Sequence, residues 1–137
     1  MVSGLAQYLH DLGLVHYDPE GTSGDCFEET MPAEPAEAVA IFSTGGLPAS
    51  PRLGYDTVTV QIMVRGTSDP RTARERAWAI YHALHGLRYV NLPDGTEVLW
   101  ITVQHPPEWL QTDENGRHLF AINVQLEIRA AVLGRRE

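Results

Sequence analysis

The sequence predicts an α+β fold, a mixed, mainly antiparallel β-sheet with two α-helices packed on one face. Residues 56–66 and 118–131 alternate apolar with more polar side chains, which is the period of strands with one buried face. A capped helical stretch separates them, and short turn-rich segments connect the strands on the C-terminal side. Hairpin-type connections favour antiparallel pairing with segregated helices, which is the α+β class.

The longer helix is the clearest single element. Asp69 can accept hydrogen bonds from the first-turn N–H groups, and Pro70 suits the first helical position because its missing N–H is not needed there. Gly86 marks the end of the helix. The predicted buried stripe consists of Ala73, Ala77, Ile80, Tyr81 and Leu84.

The remaining elements are shorter. Residues 2–14 predict an amphipathic helix, with Ser3 as its cap. The other predicted segments are a short strand at 26–31, a strand at 37–43, a loop at 44–54, strands at 89–92 and 97–105, and an extended piece at 109–112. The length predicts a single domain, residues 1–137, with a variable acidic loop region at about 15–54.

Charge is distributed unevenly along the chain. The net charge is −8, and residues 1–50 hold eight acids and no Lys or Arg, whereas residues 51–137 hold ten acids and ten Arg. A free-standing DNA-binding protein needs a cationic surface to neutralise phosphates, so this balance argues against one. An acidic surface suits the wall of a passage through which DNA slides without binding.

No residue pattern indicates catalysis, a metal or a cofactor. Cys26 is the only cysteine, and it has no neighbouring sign of activation. His82 and His85 can share a helix face, but zinc needs three or four ligands. The glycine-rich phosphate loops and nucleophile elbows of known enzymes are missing from the sequence. The first fourteen residues lack the features of a signal peptide or a membrane span.

Three tryptophans are candidate interface anchors. Trp78 is one position from the buried helix stripe, Trp100 is on the opposite strand face from Ile101, and Trp109 follows two prolines. Aromatic side chains that one core cannot cover are typical of protein interfaces. Packing within the core is the alternative for Trp78 and Trp100.

Residues 55–130 resemble a known family. The similarity runs through Val60–Gly66, Asp69-Pro70, Arg74–Leu87, Val98–Gln104, Pro107–Leu110 and Asp113–Arg117, and then the final strand. These segments are similar to the tail terminator (minor capsid) proteins of long-tailed bacteriophages.

The resemblance implies a structural virion protein that performs no catalysis. Such a protein forms a ring, typically of six copies, that caps the tail tube and joins it to the head–tail connector or stopper protein. The implied partners are sister copies, the tail tube protein and the connector, with DNA only passing through the lumen and no membrane. The implied location is the head-proximal end of the virion tail, with assembly in the host cytoplasm.

A closed ring needs two unlike patches on one subunit. The residues predicted for subunit or partner contacts are Arg71, Arg74, Arg76, Trp78, Trp100, Trp109 and Leu110. The acidic N-terminal part is one candidate for the complementary patch. Alternatively, the acidic loops at 18–37 project into the ring opening, with Glu28, Glu29, Glu34 and Glu37 facing the lumen. A connector stopper or adaptor protein is the alternative function, followed by a small α+β enzyme.

Overall fold

A computed structural model describes residues 1–21, 23–46 and 55–129. These residues form two helices and seven strands, with three strands after the first helix and four after the second. In chain order they are α1 (Val2–Asp11), β1 (Cys26–Glu28), β2 (Ala38–Gly46), β3 (Tyr55–Arg65), α2 (Pro70–Leu84), β4 (Arg88–Asn91), β5 (Glu97–Val103), β6 (Glu108–Thr112) and β7 (His118–Arg129).

All seven strands belong to one sheet. Six of them follow the order β1-β2-β3-β7-β5-β4, and β6 pairs with β7 beside this path. β1 and β2 run parallel, and the other pairs are antiparallel. β3 pairs with β7 from Tyr55 opposite Arg129 to Arg65 opposite Leu119. The second edge of β7 is shared, because β6 pairs with its first residues and β5 with its last ones.

Both helices pack on the same face of this sheet, which confirms the predicted α+β class. α1 lies on β1 and β2, whereas α2 lies on β7, β3 and β5. The core joins the apolar stripes of both helices to one face of the sheet, and its fully enclosed side chains include Leu5, Leu9, Ile62, Ile80 and Ile122. We call the opposite side, with Gln61, Asn123 and Gln125, the helix-free face.

The start of α2 follows the sequence prediction. Asp69 is the N-cap, and its carboxylate accepts the backbone N–H of Arg71 at 3.0 Å, while Pro70 occupies the first helical position. Gly66 lies just before this cap, where an added Cβ would lie 2.7 Å from the backbone N of Ala73. The absence of a side chain at Gly66 therefore lets α2 approach the end of β3.

Three local predictions were wrong. Ser3 does not cap α1; instead its hydroxyl donates to Glu28 at 2.7 Å, and Met1 occupies the cap position without a side-chain cap bond. β1 ends at Glu28, because Glu29 takes a left-handed φ of 61°. β2 continues through residues 44–46, which were expected to be loop, and residues 47–54 of that predicted loop lie outside the described residues.

β5 departs from simple alternation. A bulge between Val98 and Trp100 shifts its register against β7. Val98 consequently shares the helix-covered face with Ile101, whereas Trp100 lies opposite Glu127 on the helix-free face. A bulge places two residues against one, so it reverses the faces of the residues on either side.

The segment between β1 and β2 is fastened to the end of the sheet by a buried arginine. Arg65 is only 5% exposed, and its guanidinium donates to the carbonyl oxygens of Pro32, Pro35 and Ala36 at 2.6, 2.7 and 2.8 Å. Arg117 adds a bond of 2.8 Å to the carbonyl of Ala33. We call residues 32–37 the clamped loop.

We expect Arg65→Met to release the clamped loop and to lower the free energy of unfolding. Methionine keeps most of the side-chain volume but leaves buried carbonyl oxygens without donors, which costs about 2–3 kcal/mol. Chemical denaturation measures the loss, and hydrogen exchange of residues 32–37 measures the release.

Arg129→Met is the matched control, because Arg129 pairs with Glu97 where both side chains are about half exposed. Exposed pairs contribute about 0–1 kcal/mol. Equal losses for the two variants would contradict the structural role of Arg65.

Candidate subunit interface

The three arginines predicted for subunit contacts have different surroundings. Arg71 is exposed and pairs with Asp69 at 2.9 Å within its own helix. Arg76 is largely covered, and it donates to Asp25 at 2.6 Å and to the carbonyl of Leu14 at 3.2 Å. Arg74 is exposed and has no hydrogen-bond acceptor among the described residues. Of the three, Arg74 is therefore the guanidinium most available to a partner.

The C-terminal half of α2 carries an aromatic stripe beside its buried one. Trp78, Tyr81, His82 and His85 follow at helical spacing, and Trp78 is 36% exposed. The Trp78 and Tyr81 rings meet edge to face at 5.4 Å, and Tyr81 stacks on His85 at 5.4 Å. His85 is held in place, because its Nδ1 accepts the backbone N–H of Val103 at 3.1 Å. We call these four residues the α2 aromatic stripe.

Trp109 forms a second exposed aromatic site, on β6. It lies opposite Phe120 on the helix-covered side of the sheet and is 52% exposed. Its indole N–H donates to Nδ1 of His118 at 3.0 Å, which fixes the orientation of the ring. Leu110, the other β6 residue predicted for an interface, is half-buried.

Trp100 lies apart from these two sites. It is 36% exposed and lies on the helix-free face, between Arg88 of β4 and Glu127 of β7. The three tryptophans are therefore exposed in three different places. Tyr89 on the edge strand β4 is a further exposed aromatic residue, which the sequence analysis did not name as an interface candidate. It is 79% exposed and has a left-handed φ of 52°. No periodicity signal singles it out.

The four acidic residues predicted to face a lumen also differ in their exposure and hydrogen bonding. Glu28 is half-buried and accepts hydrogen bonds from Ser3 and from the Tyr17 hydroxyl, so it links α1 to β1. Burial first, and then the neighbouring Glu28, raises the pKa of Tyr17. Glu29 is exposed, and hydrogen bonds from Ser43 lower its pKa. Glu34 and Glu37 are exposed on the clamped loop.

A cleft of about 650 Å³ lies where the clamped loop meets the first turn of α2. Its walls include His16, Asp25, Glu37, Thr72 and Arg76. The charged groups Asp25 and Arg76 are paired with each other, so they hold two parts of the chain together. The cleft thus lies where the loop joins the helix.

Among residues 1–21, 23–46 and 55–129, no cluster of His, Cys, Asp and Glu could hold a metal ion. Cys26 is buried, and burial followed by the charge of Asp25 raises the pKa of its thiol to about 12. Neither helix within these ranges is long and apolar enough to cross a lipid bilayer.

Exposed, pre-ordered aromatic rings at separate places are typical of a protein that binds other proteins. The model of a protein family described as "bacteriophage tail terminator protein" matches residues 8–129. The chain therefore belongs to the tail terminator family and is a structural protein of a phage tail. No curated protein sequence matches it significantly.

The family match extends the sequence-based resemblance toward the N-terminus. It begins at residue 8, within α1, and ends at the last described residue of β7. It thus includes the acidic loop region at about 15–54, which lies outside the segments that carry the sequence-based resemblance. Membership implies contacts with other tail or head components of the virion.

We expect Arg76→Gln to destabilise the monomer and Arg74→Gln to leave it folded. Arg76→Gln breaks a half-buried ion pair and a bond to a carbonyl, which costs about 2–3 kcal/mol. Arg74 is exposed, so its substitution changes the free energy of unfolding by less than about 0.5 kcal/mol. Thermal unfolding of both variants checks this, and a stable Arg76→Gln protein would contradict it.

The Asp69 cap predicts a pH-dependent difference. Hydrogen bonds from Arg71 lower the pKa of Asp69 below its ordinary value of 3.8. The charged cap therefore contributes stability above that pH, and the contribution disappears as the pH falls through the folded-state pKa.

Asp69→Asn keeps the capping oxygen but removes the charge, so it isolates this effect. We expect the variant to be less stable than the native chain at pH 7 and to approach it in stability below pH 3.8. Urea unfolding at several pH values measures the difference. A difference that does not change with pH would contradict the assignment.

Proposed function

We propose that this protein forms a closed ring, of six copies, on the head-proximal end of the tail tube and joins the finished tube to the head–tail connector. The observation that carries the proposal is the match to the tail terminator family over residues 8–129, which include all of β1–β7 and the last four residues of α1. The exposed aromatic sites are compatible with it, because a ring subunit needs one surface for each neighbour and further ones for the tube and the connector.

The charged residues have a smaller role in this proposal than the sequence alone suggested. Arg71 and Arg76 already pair within the chain, so Arg74 is the cation of α2 offered to a partner. The exposed acids Glu29, Glu34 and Glu37 either face the passage for DNA or meet a neighbouring copy. A negative passage wall would repel DNA phosphates and let the genome slide.

Two other functions compete with this proposal. A connector stopper or adaptor protein would also use exposed aromatic surfaces, but it would bind filled heads rather than tail tubes. A small-molecule enzyme would need convergent polar groups in a pocket. In the cleft beside α2, Asp25 and Arg76 are paired with each other in a structural contact, which disfavours the enzyme.

Electron microscopy of virions assembled without this chain tests the proposed function. We expect tails of uncontrolled length or tails without heads, together with filled heads that lack tails. Purified tubes mixed with the protein should gain a ring at one end. Normal tails on normal heads in its absence would refute the proposal, and binding to filled heads but not to tubes would favour the stopper.

A further inference from the structure

The α2 aromatic stripe and the clamped loop are complementary in chemistry. The geometry points to a head-to-tail contact in which the stripe of one copy receives Glu34 and Glu37 of the next copy. This inference rests on the proposed ring, because it names the surfaces through which neighbouring subunits meet.

The stripe offers hydrogen-bond donors. Among the described residues, neither the indole N–H of Trp78 nor the guanidinium of Arg74, four residues earlier on the helix, has an acceptor. Both groups donate and cannot accept hydrogen bonds. A partner that covers the stripe must therefore supply acceptors, or it leaves buried donors unpaired at a cost of about 1–3 kcal/mol each.

The clamped loop supplies acceptors on a rigid support. Ionised Glu34 and Glu37 only accept hydrogen bonds, and both are exposed. Arg65 and Arg117 hold the loop backbone through four carbonyl oxygens, so little conformational freedom is lost when the loop is bound. Residues 1–50 carry no Lys or Arg, so this part of the chain complements Arg74 in charge.

The rings of the stripe are also fixed before binding. Trp78 lies 5.4 Å from Tyr81 and 5.6 Å from His82, and Tyr81 stacks on His85. Pre-packed aromatic side chains lose little rotamer entropy on association, and tryptophan is the residue most enriched among interface hot spots.

The two patches lie at different places on the subunit. The clamped loop borders the same cleft as Thr72, in the first turn of α2, whereas His82 lies in its last turn. Ten residues of helix separate these positions by about 15 Å. Two unlike patches at a distance make a heterologous contact, which closes into a ring when the rotation between copies allows it.

Disulfide trapping tests the contact directly. Glu34→Cys and His82→Cys are made as separate single variants, one is isotopically labelled, and the two are mixed under mild oxidation, both free and on purified tail tubes. Cys26 stays in place because it is buried and its thiol has a raised pKa. We expect a disulfide between positions 34 and 82 of different copies, several-fold more abundant than either homodimer.

Matched variants separate the contact from chance collisions. Glu20→Cys with His82→Cys is the control pair, because Glu20 is an exposed acid outside the clamped loop. Adding Trp78→Ala should reduce the 34–82 disulfide about tenfold, whereas Trp100→Ala should not, since Trp100 is equally exposed but lies on the helix-free face. A 34–82 yield no higher than the control pair, in both settings, overturns the contact.

The outcomes distinguish this contact from the proposed function. Rings on tail tubes with a 34–82 yield at the control level would leave the terminator ring standing and remove this interface. A strong 34–82 disulfide with no ring on the tubes would keep the contact and refute the ring. If Glu34 and Glu37 line the passage instead, replacing both with Ala, which removes the acceptors, leaves the yield of rings unchanged.

Discussion

The pairing of β3 with β7 over eleven successive positions is the constraint on which the rest of the fold depends. It places two strands that are distant in sequence side by side at the centre of the sheet. Every other strand then pairs outward from one of these two, directly or through one neighbour. Because their alternating apolar residues face the same side, both helices must pack there. The helix-free face carries polar side chains such as Gln61 and Asn123, together with Trp100 and apolar residues such as Phe42 and Met63.

Most of the arginines discussed above connect different segments of the same chain. Arg65 and Arg117 fasten the clamped loop, and Arg76 ties α2 to the segment after α1. A guanidinium suits this role because its donors lie in a fixed plane and bind several carbonyl oxygens at once. With these cations engaged internally, the net charge of −8 leaves a surface that is mostly acidic or uncharged. In the proposed ring, contacts between copies would therefore depend largely on aromatic area.

Sequence patterns within a few residues were sufficient to predict the elements that depend only on neighbouring residues. The cap at Asp69, the stripe of α2 and the alternation in β3 and β7 each lie within a few residues, and each is present in the structure. Contacts between residues that are distant in sequence could not be predicted from such local patterns. Arg76 meets a carboxylate 51 residues earlier, and Arg65 binds a carbonyl 33 residues earlier. The residues predicted for subunit contacts and for the lumen stay predictions, and their exposure in the structure indicates which of them are available to a partner.

Whether subunits bind through ion pairs or through buried aromatic area decides how the stability of a ring would depend on salt concentration. Exposed ion pairs are screened at physiological ionic strength, where the Debye length is about 8 Å, and most contribute less than about 1 kcal/mol. Burial of an indole is not screened, and hydrogen bonds from Trp78 to a carboxylate gain strength as water is excluded. A subunit that uses Arg76 internally and offers Trp78 externally is therefore suited to an assembly that must persist when salt varies.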